Sequence, residues 1–89
     1  MVDYDKIVKL YGDEVLYQIK ANLEDVNQNL KYLNSLNIKN VDDIFERYVL
    51  LFICDTKSFE IKINILINEL GKNYITLLED DSSYFGDVL

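Results

Sequence analysis

The chain has 89 residues, enough for one domain with one core that buries about 60 to 65% of the unfolded chain's surface. Apolar residues make up 49% of it, including seven Tyr and four Phe, so there is material to offset the entropy of ordering, and disorder is excluded as the overall state. Sixteen Asp and Glu against nine Lys and Arg give a formal net charge of −7, with acids from Asp3 to Asp87 and no basic block, which disfavours nucleic acid and anionic membrane surfaces as partners.

In chain order, Asp3 is placed to cap a short helix over Tyr4 to Tyr11, and Gly12 supplies the residue that ends it. Asp13 restarts the pattern. Leu16, Ile19, Leu23, Val26, Leu30 and Leu33 follow at spacings of 3, 4, 3, 4 and 3, which puts all six on one helical stripe. Two readings fit: one helix from Asp13 to Leu36, or two shorter helices broken near Asn22, which would cap the second. Asn37 to Asn40 reads as a connection, with Asn40 as the next cap and Val41, Ile44, Phe45, Tyr48, Leu51 and Phe52 as an apolar helical face. Asp55 or Thr56 caps a further helix with Phe59, Ile63, Leu66, Ile67 and Leu70 on one face and Gly71 as its stop. Asn73 opens a last helix through Leu77 and Leu78, ahead of Asp81-Ser82-Ser83 and the pair Tyr84-Phe85.

Residues 49–67 also fit a second template. Phe59, Ile61, Ile63, Ile65 and Ile67 alternate with other residues, and with Val49 to Ile53 across Asp55 to Ser58 they describe a β-hairpin, which would make the fold α+β. Helix is preferred because the flanking segments are helical and Gly71 sits where a helix stops. On that reading Ile61 and Ile65 lie opposite the main stripe, and the helix is apolar on two sides. The expected fold is thus all-α, a single domain over residues 1–89, arranged as a small bundle or a short stack of helical units.

An offset of 33 aligns residues 30–52 with 63–85 without a gap. Identities fall at Leu33/Leu66, Lys39/Lys72, Asn40/Asn73, Glu46/Glu79 and Phe52/Phe85, and conservative pairs include Leu30/Ile63, Ile44/Leu77 and Phe45/Leu78. Asn22 falls under Asp55 at the same offset, while register is lost in the linker at Asn37/Leu70 and Ile38/Gly71. Periods of this length belong to helical repeats, in which each unit leaves an apolar face for its neighbour to cover.

The string Leu30-x-x-Leu33-x-x-Leu36-Asn37-Ile38, Val41-x-x-Ile44-Phe45-Glu46-Arg47-Tyr48-x-x-Leu51-Phe52, then Phe59-x-x-x-Ile63-x-x-Leu66-x-x-x-Leu70-Gly71 resembles the helical repeat of the mitochondrial transcription termination factor family. The resemblance covers residues 13–85, about two units. It implies units stacked into a superhelix, and nucleic-acid binding along that superhelix. The proline usual in the family's second short helix has no counterpart here, and neither has its basic concave face.

Chemistry is constrained by what is missing. With no His there is no Ser/His or Cys/His pair, and the single cysteine, Cys54, can form neither an intrachain disulfide nor a Cys-based zinc site. Cys54 ends the apolar run from Val49, where a free thiol behaves as a small hydrophobe. Carboxylate pairs such as Asp42 and Glu46, and the cluster Glu79-Asp80-Asp81, read as solvated helix faces. Gly12, Gly71 and Gly86 are scattered, so there is no phosphate loop. The N-terminus lacks the basic start and apolar stretch of a signal peptide, and the six residues Val49 to Cys54 are too few to span a bilayer. The expectation is a cytoplasmic, non-enzymatic protein-interaction module without cofactor or metal, binding a protein partner or itself. Tyr84, Phe85, Ile61 and Ile65 are its candidate interface residues. Nucleic-acid binding through a repeat surface, or mimicry of nucleic acid on a basic protein site, are the alternatives.

Overall fold

The computed structural model describes residues 2–89. It contains α1 (Tyr4–Tyr11), α2 (Glu14–Ala21), α3 (Leu23–Ser35), α4 (Val41–Arg47), α5 (Val49–Phe52), α6 (Thr56–Leu70) and α7 (Tyr74–Asp80), with 3-10 turns over Gly71–Asn73 and Ser82–Val88. Among the described residues there is no strand, so the hairpin over 49–67 is excluded. Alternation of Ile61, Ile63, Ile65 and Ile67 arises instead from a helix buried through Phe59, Ile63 and Leu66, with Ile61 and Ile65 on its outer side.

Capping explains the ends of α1 and α6. The Asp3 side chain accepts from Lys6 N at the start of α1, and Asp55 accepts from Ser58 N at 3.1 Å to open α6, so Asp55 rather than Thr56 is the cap. Gly12 (φ +88°) and Gly71 (φ +77°) end α1 and α6 in conformations that L side chains adopt only under strain. The three asparagines expected as N-caps work differently. None of Asn22, Asn40 and Asn73 makes a side-chain cap bond to the helix it precedes. Asn22 turns back and donates through Nδ2 to Gln18 O at 2.8 Å, closing α2. Asn40 and Asn37 instead carry positive φ (62° and 64°), so they serve the turn through backbone tolerance of the left-handed region. Asp13 to Leu36 is therefore two helices hinged at Asn22, the second of the two expected forms.

The apolar face from Val41 to Phe52 does not belong to one straight helix. It breaks at Tyr48 (φ −125°, ψ 43°), separating α4 from α5. The break turns Val49, Leu51 and Phe52 inward until all three are fully buried, at the cost of leaving Leu50 on the surface. Phe45, Phe52 and Phe59 pack in series through the core, the first pair edge-to-face and the second tilted, with ring centroids 5.2 and 5.0 Å apart, and Tyr32 adds an edge contact to Phe59 at 6.3 Å. The freed carbonyls after α5 need donors, and Asn29 on α3 supplies them. Its buried Nδ2 donates to Phe52 O at 2.9 Å and to Cys54 O at 3.0 Å.

Helix boundaries recur along the chain. Val41–Arg47 is followed 33 positions later by Tyr74–Asp80, α3 and α6 begin at Leu23 and Thr56, and α5 and the last 3-10 turn begin at Val49 and Ser82. In each set of three, every element packs on the other two. Core positions recur with them: Val26 and Phe59, Leu33 and Leu66, Phe45 and Leu78, Phe52 and Phe85 are all buried.

Around this, α1 is tied to α4. Glu46, only 7% exposed, accepts from Asp3 N at 3.0 Å and lies 3.5 Å from Lys6 Nζ, while the Tyr11 hydroxyl donates to Arg47 O. The Ser82–Val88 turn folds back on α6 and α7 and delivers Phe85 to the interior, beside Tyr48.

Candidate docking surfaces

The four residues expected at an interface separate into two groups. Phe85 is fully buried, because its 3-10 turn is the core counterpart of α5, and as a partner contact it is corrected to a core residue. Tyr84 beside it is half-buried and packs against the core. Ile61 and Ile65 stand one helical turn apart on the outer side of α6, 53% and 45% exposed. They form an apolar ridge, with the polar Ser58 and Asn68 on the same helical face by period.

A second apolar surface escaped the sequence reading. Tyr4 on α1, Leu16, Ile19 and Lys20 on α2, and Leu23 at the start of α3 line a groove of about 330 Å³ whose walls are almost wholly apolar. Tyr4 and Leu23 are 47% and 48% exposed, while Ile19 forms the buried floor. Among the described residues Tyr17, at 72%, is the most exposed large apolar side chain, and it also lies on α2. The Leu16-Ile19-Leu23 stripe looked like core because its spacing is that of core. The hinge at Asn22 divides it between two helices, which leaves Leu23 outside.

The groove and the ridge share no residue, and α3 presents different faces to α6 and to the groove. Leu23 and Tyr32 are nine residues apart, about two and a half turns, so they point in opposite directions. Tyr32 is the side that meets α6: its ring contacts Phe59 edge-on and its hydroxyl bonds Asn64 Oδ1 at 3.3 Å.

One polar depression, of about 730 Å³, is lined by Asp42, Asp43 and Glu46 with Asn34, Lys39 and Asn40. Glu46 is engaged as described, and Asp43 sits 3.2 Å from Arg47 Nε and 3.6 Å from Lys6 Nζ. A smaller crevice of about 180 Å³ interleaves Asp43, Glu79 and Asp80 with Lys39 and Arg47, so the carboxylates there do not form an uninterrupted acidic row. Lys39 N donates to Glu79 Oε2 at 3.2 Å. Among the described residues no three Asp, Glu or Cys side chains converge to hold a metal ion. No helix among them is long and apolar enough to cross a membrane.

Cys54 is half-buried, and its thiol lies 3.3 Å from Leu51 O. Burial pushes its pKa up, against a smaller opposing effect of Lys62. Fewer thiolates at neutral pH mean a slow nucleophile. A thiol reagent should therefore modify native Cys54 more slowly than the same residue in urea, read by mass spectrometry at matched pH.

Asp55 and Asp81 titrate in the opposite direction. Hydrogen bonds from the Ser58 side chain and backbone hold the Asp55 carboxyl below its ordinary value, and Ser83 does the same for Asp81. A folded pKa depressed below the unfolded one means that each cap's contribution is complete above the ordinary value of about 3.9 and is lost as pH falls through the lower folded value. The gap in melting temperature between the native chain and Asp55→Ala should accordingly be constant through neutral pH and close only in strong acid. A gap that widens in acid contradicts this assignment.

Comparison of the chain with protein-family models, with curated proteins and with solved structures finds no match in any of the three.

Proposed function

We propose that this chain is a non-enzymatic protein-interaction module, working through the apolar surfaces that its helices leave uncovered. The observation that carries the reading is the pair of such surfaces, the α1–α2 groove and the Ile61/Ile65 ridge. Apolar surface that a small acidic domain keeps in water is spent stability unless a partner covers it. The absence of His, the raised thiol pKa of Cys54 and the engaged state of Asp43 and Glu46 support a role without covalent or acid–base chemistry.

Two substitution pairs test this. Ile61→Glu/Ile65→Glu blocks the ridge and Tyr4→Glu/Leu23→Glu blocks the groove, and all four positions are exposed enough to leave the core intact. Immobilised native chain should retain, from a lysate or from its own soluble pool, a polypeptide that one or both variants fail to retain. If the native chain and both variants retain the same material, the reading is overturned.

We further propose that the chain is built of two units of 33 residues, α3–α5 and α6 to the last 3-10 turn. Support comes from the recurring helix boundaries and from the family resemblance carried by the Leu, Ile and Phe spacing. Nucleic-acid binding is the second functional reading, favoured by that recurrence and opposed by the charge of −7. Oligonucleotides, single- and double-stranded, should show no shift with the chain at low salt. A shift there would exchange the order of the two readings.

A further inference from the structure

We propose that α1 is a strap that opens as a unit about Gly12, leaving α4 while α2 to α7 stay folded, and that salt shifts it towards the open form.

Little apolar burial holds α1. Ile7 is the one side chain it buries fully, whereas α3 buries Val26, Asn29 and Leu33 and α6 buries Phe59, Ile63 and Leu66. Its joint to α2 is Gly12, whose backbone (φ +88°, ψ 171°) lies in a region almost restricted to glycine. A Cβ at Gly12 would meet nothing within 4 Å, so the joint is open space around a backbone of unusual freedom. Positions at element ends that absorb a large change in φ and ψ are what hinges are made of.

The polar ties of α1 are few, and they converge. Asp3 N donates to Glu46 Oε2 at 3.0 Å, Lys6 Nζ lies 3.5 Å from Glu46 Oε1 and 3.6 Å from Asp43 Oδ1, and the Tyr11 hydroxyl donates to Arg47 O. Asp43, Glu46 and Arg47 stand at i, i+3 and i+4, so these ties form one clasp on one turn of α4. Lys6 also shares Asp43 with Arg47, which sits 3.2 Å from it. The Lys6 and Asp43 side chains are 42% and 45% exposed, so water and salt reach the clasp. A short element with one fully buried apolar side chain and solvent-accessible ties opens at a lower free energy than the core does.

Opening changes the apolar groove. Tyr4 on α1 is one of its walls, while Leu16, Ile19, Lys20 and Leu23 belong to α2 and α3. The closed strap completes the groove and the open strap removes that wall. A ligand that touches Tyr4 therefore holds the strap shut, and by linkage the clasp on α4 tunes the groove's affinity. The motion itself needs no partner, so its test stands apart from the interaction-module reading.

The experiment is amide hydrogen exchange of the purified chain, followed residue by residue. The amides to follow in α1 are Ile7, bonded to Asp3 O, Gly12, bonded to Val8 O, and those between them. Corrected for intrinsic rates, they should exchange faster than the amides of Ile63 and Leu66 in α6. Ile63→Val should accelerate the α6 amides by about 2- to 12-fold and leave those of α1 unchanged, since α6 is folded in both forms of the strap. Sodium chloride from about 10 mM to about 1 M, which shortens the screening length from about 30 Å to about 3 Å, should accelerate the α1 amides of the native chain. Lys6→Met should start with faster α1 exchange and lose that salt dependence. Gly12→Ala should accelerate the α1 amides by about 5-fold or more, because opening relieves its strained backbone. If the α1 amides accelerate together with those of α6 in Ile63→Val, α1 opens only with the whole domain and the proposal is overturned. Equal salt dependence in the native chain and Lys6→Met overturns the clasp, and unchanged α1 exchange in Gly12→Ala overturns the hinge.

Discussion

Phe52→Ala should destabilise the domain by about 3–5 kcal/mol, the range for removing a buried aromatic ring and leaving its cavity. Phe52 is fully buried between Phe45 and Phe59, so the substitution removes both ring contacts of the central member of the series. The surroundings have little freedom to collapse into the space, since Phe45 is held on α4 and Phe59 on α6. A domain of this length has about 4–13 kcal/mol of total stability, so the loss is a large part of it, and the melting temperature should fall by at least about 12 °C. Phe85→Ala is the matched measurement. If Phe85 is the core residue the structure shows, it should cost about as much as Phe52→Ala. A Phe85→Ala chain that melts like the native one would return that residue to the surface.

Asn29→Asp should cost about 3–5 kcal/mol at neutral pH, the scale for leaving an uncompensated charge buried. Asn29 is fully buried on α3, and its amide group spans two carbonyls, of Phe52 and Cys54, where the chain leaves α5. A carboxylate in its place removes both donors and sets a negative charge against two carbonyl dipoles. The pH dependence follows from the sign. Burial raises the introduced carboxyl's pKa in the folded state, so the folded chain holds its proton more tightly than the unfolded chain. The deficit relative to the native chain should then shrink as pH falls from the raised value towards about 3.9, since a protonated carboxyl regains one donor. Asn29→Leu should show a pH-independent deficit of about 2–4 kcal/mol, from two carbonyls left without donors. Chemical denaturation of the three chains at several pH values separates these outcomes. Equal deficits for Asp and Leu at every pH would show that Asn29 acts by packing alone.

Asn29 also shows what a sequence reading misses. In the sequence it is a polar residue among the apolar positions Val26, Leu30 and Leu33, with no sign that it is needed inside. Its purpose exists only because α5 ends at Phe52 and leaves carbonyls for another helix to satisfy, 23 and 25 residues away. The break at Tyr48 between α4 and α5 is equally hidden, since Val41 to Phe52 has the period of one continuous helix. It pays in tertiary terms, by burying Val49 and Leu51 together with Phe52.

Local chemistry read well wherever the determining partner lies within a few residues. Asp3, Asp55, Gly12 and Gly71 were legible as helix ends, because a cap bond reaches three residues and a positive φ needs only the residue itself. The choice of helix over hairpin at 56–70 could be argued from flanking helices and Gly71, and the fold is all-α. Ile61 and Ile65 could be set opposite the main stripe by period, but that no helix sandwiches them could not be read from it. The groove at Tyr4, Leu16 and Leu23 could not, because it depends on how α1 lies against α2 and how the hinge at Asn22 turns α3 away from the stripe it shares with them. Phe85 was misplaced for a related reason: its acidic, polar neighbourhood describes a surface, and only the folding back of Ser82–Val88 onto α6 and α7 puts its ring in the core. Composition and periodicity by themselves determined the helical class, the acidity and the lack of familiar catalytic groups, since these belong to residue types and spacings of a turn or two. Tertiary structure alone decided which apolar faces find a neighbour and which remain open, because burial depends on contacts between helices that are far apart in the chain.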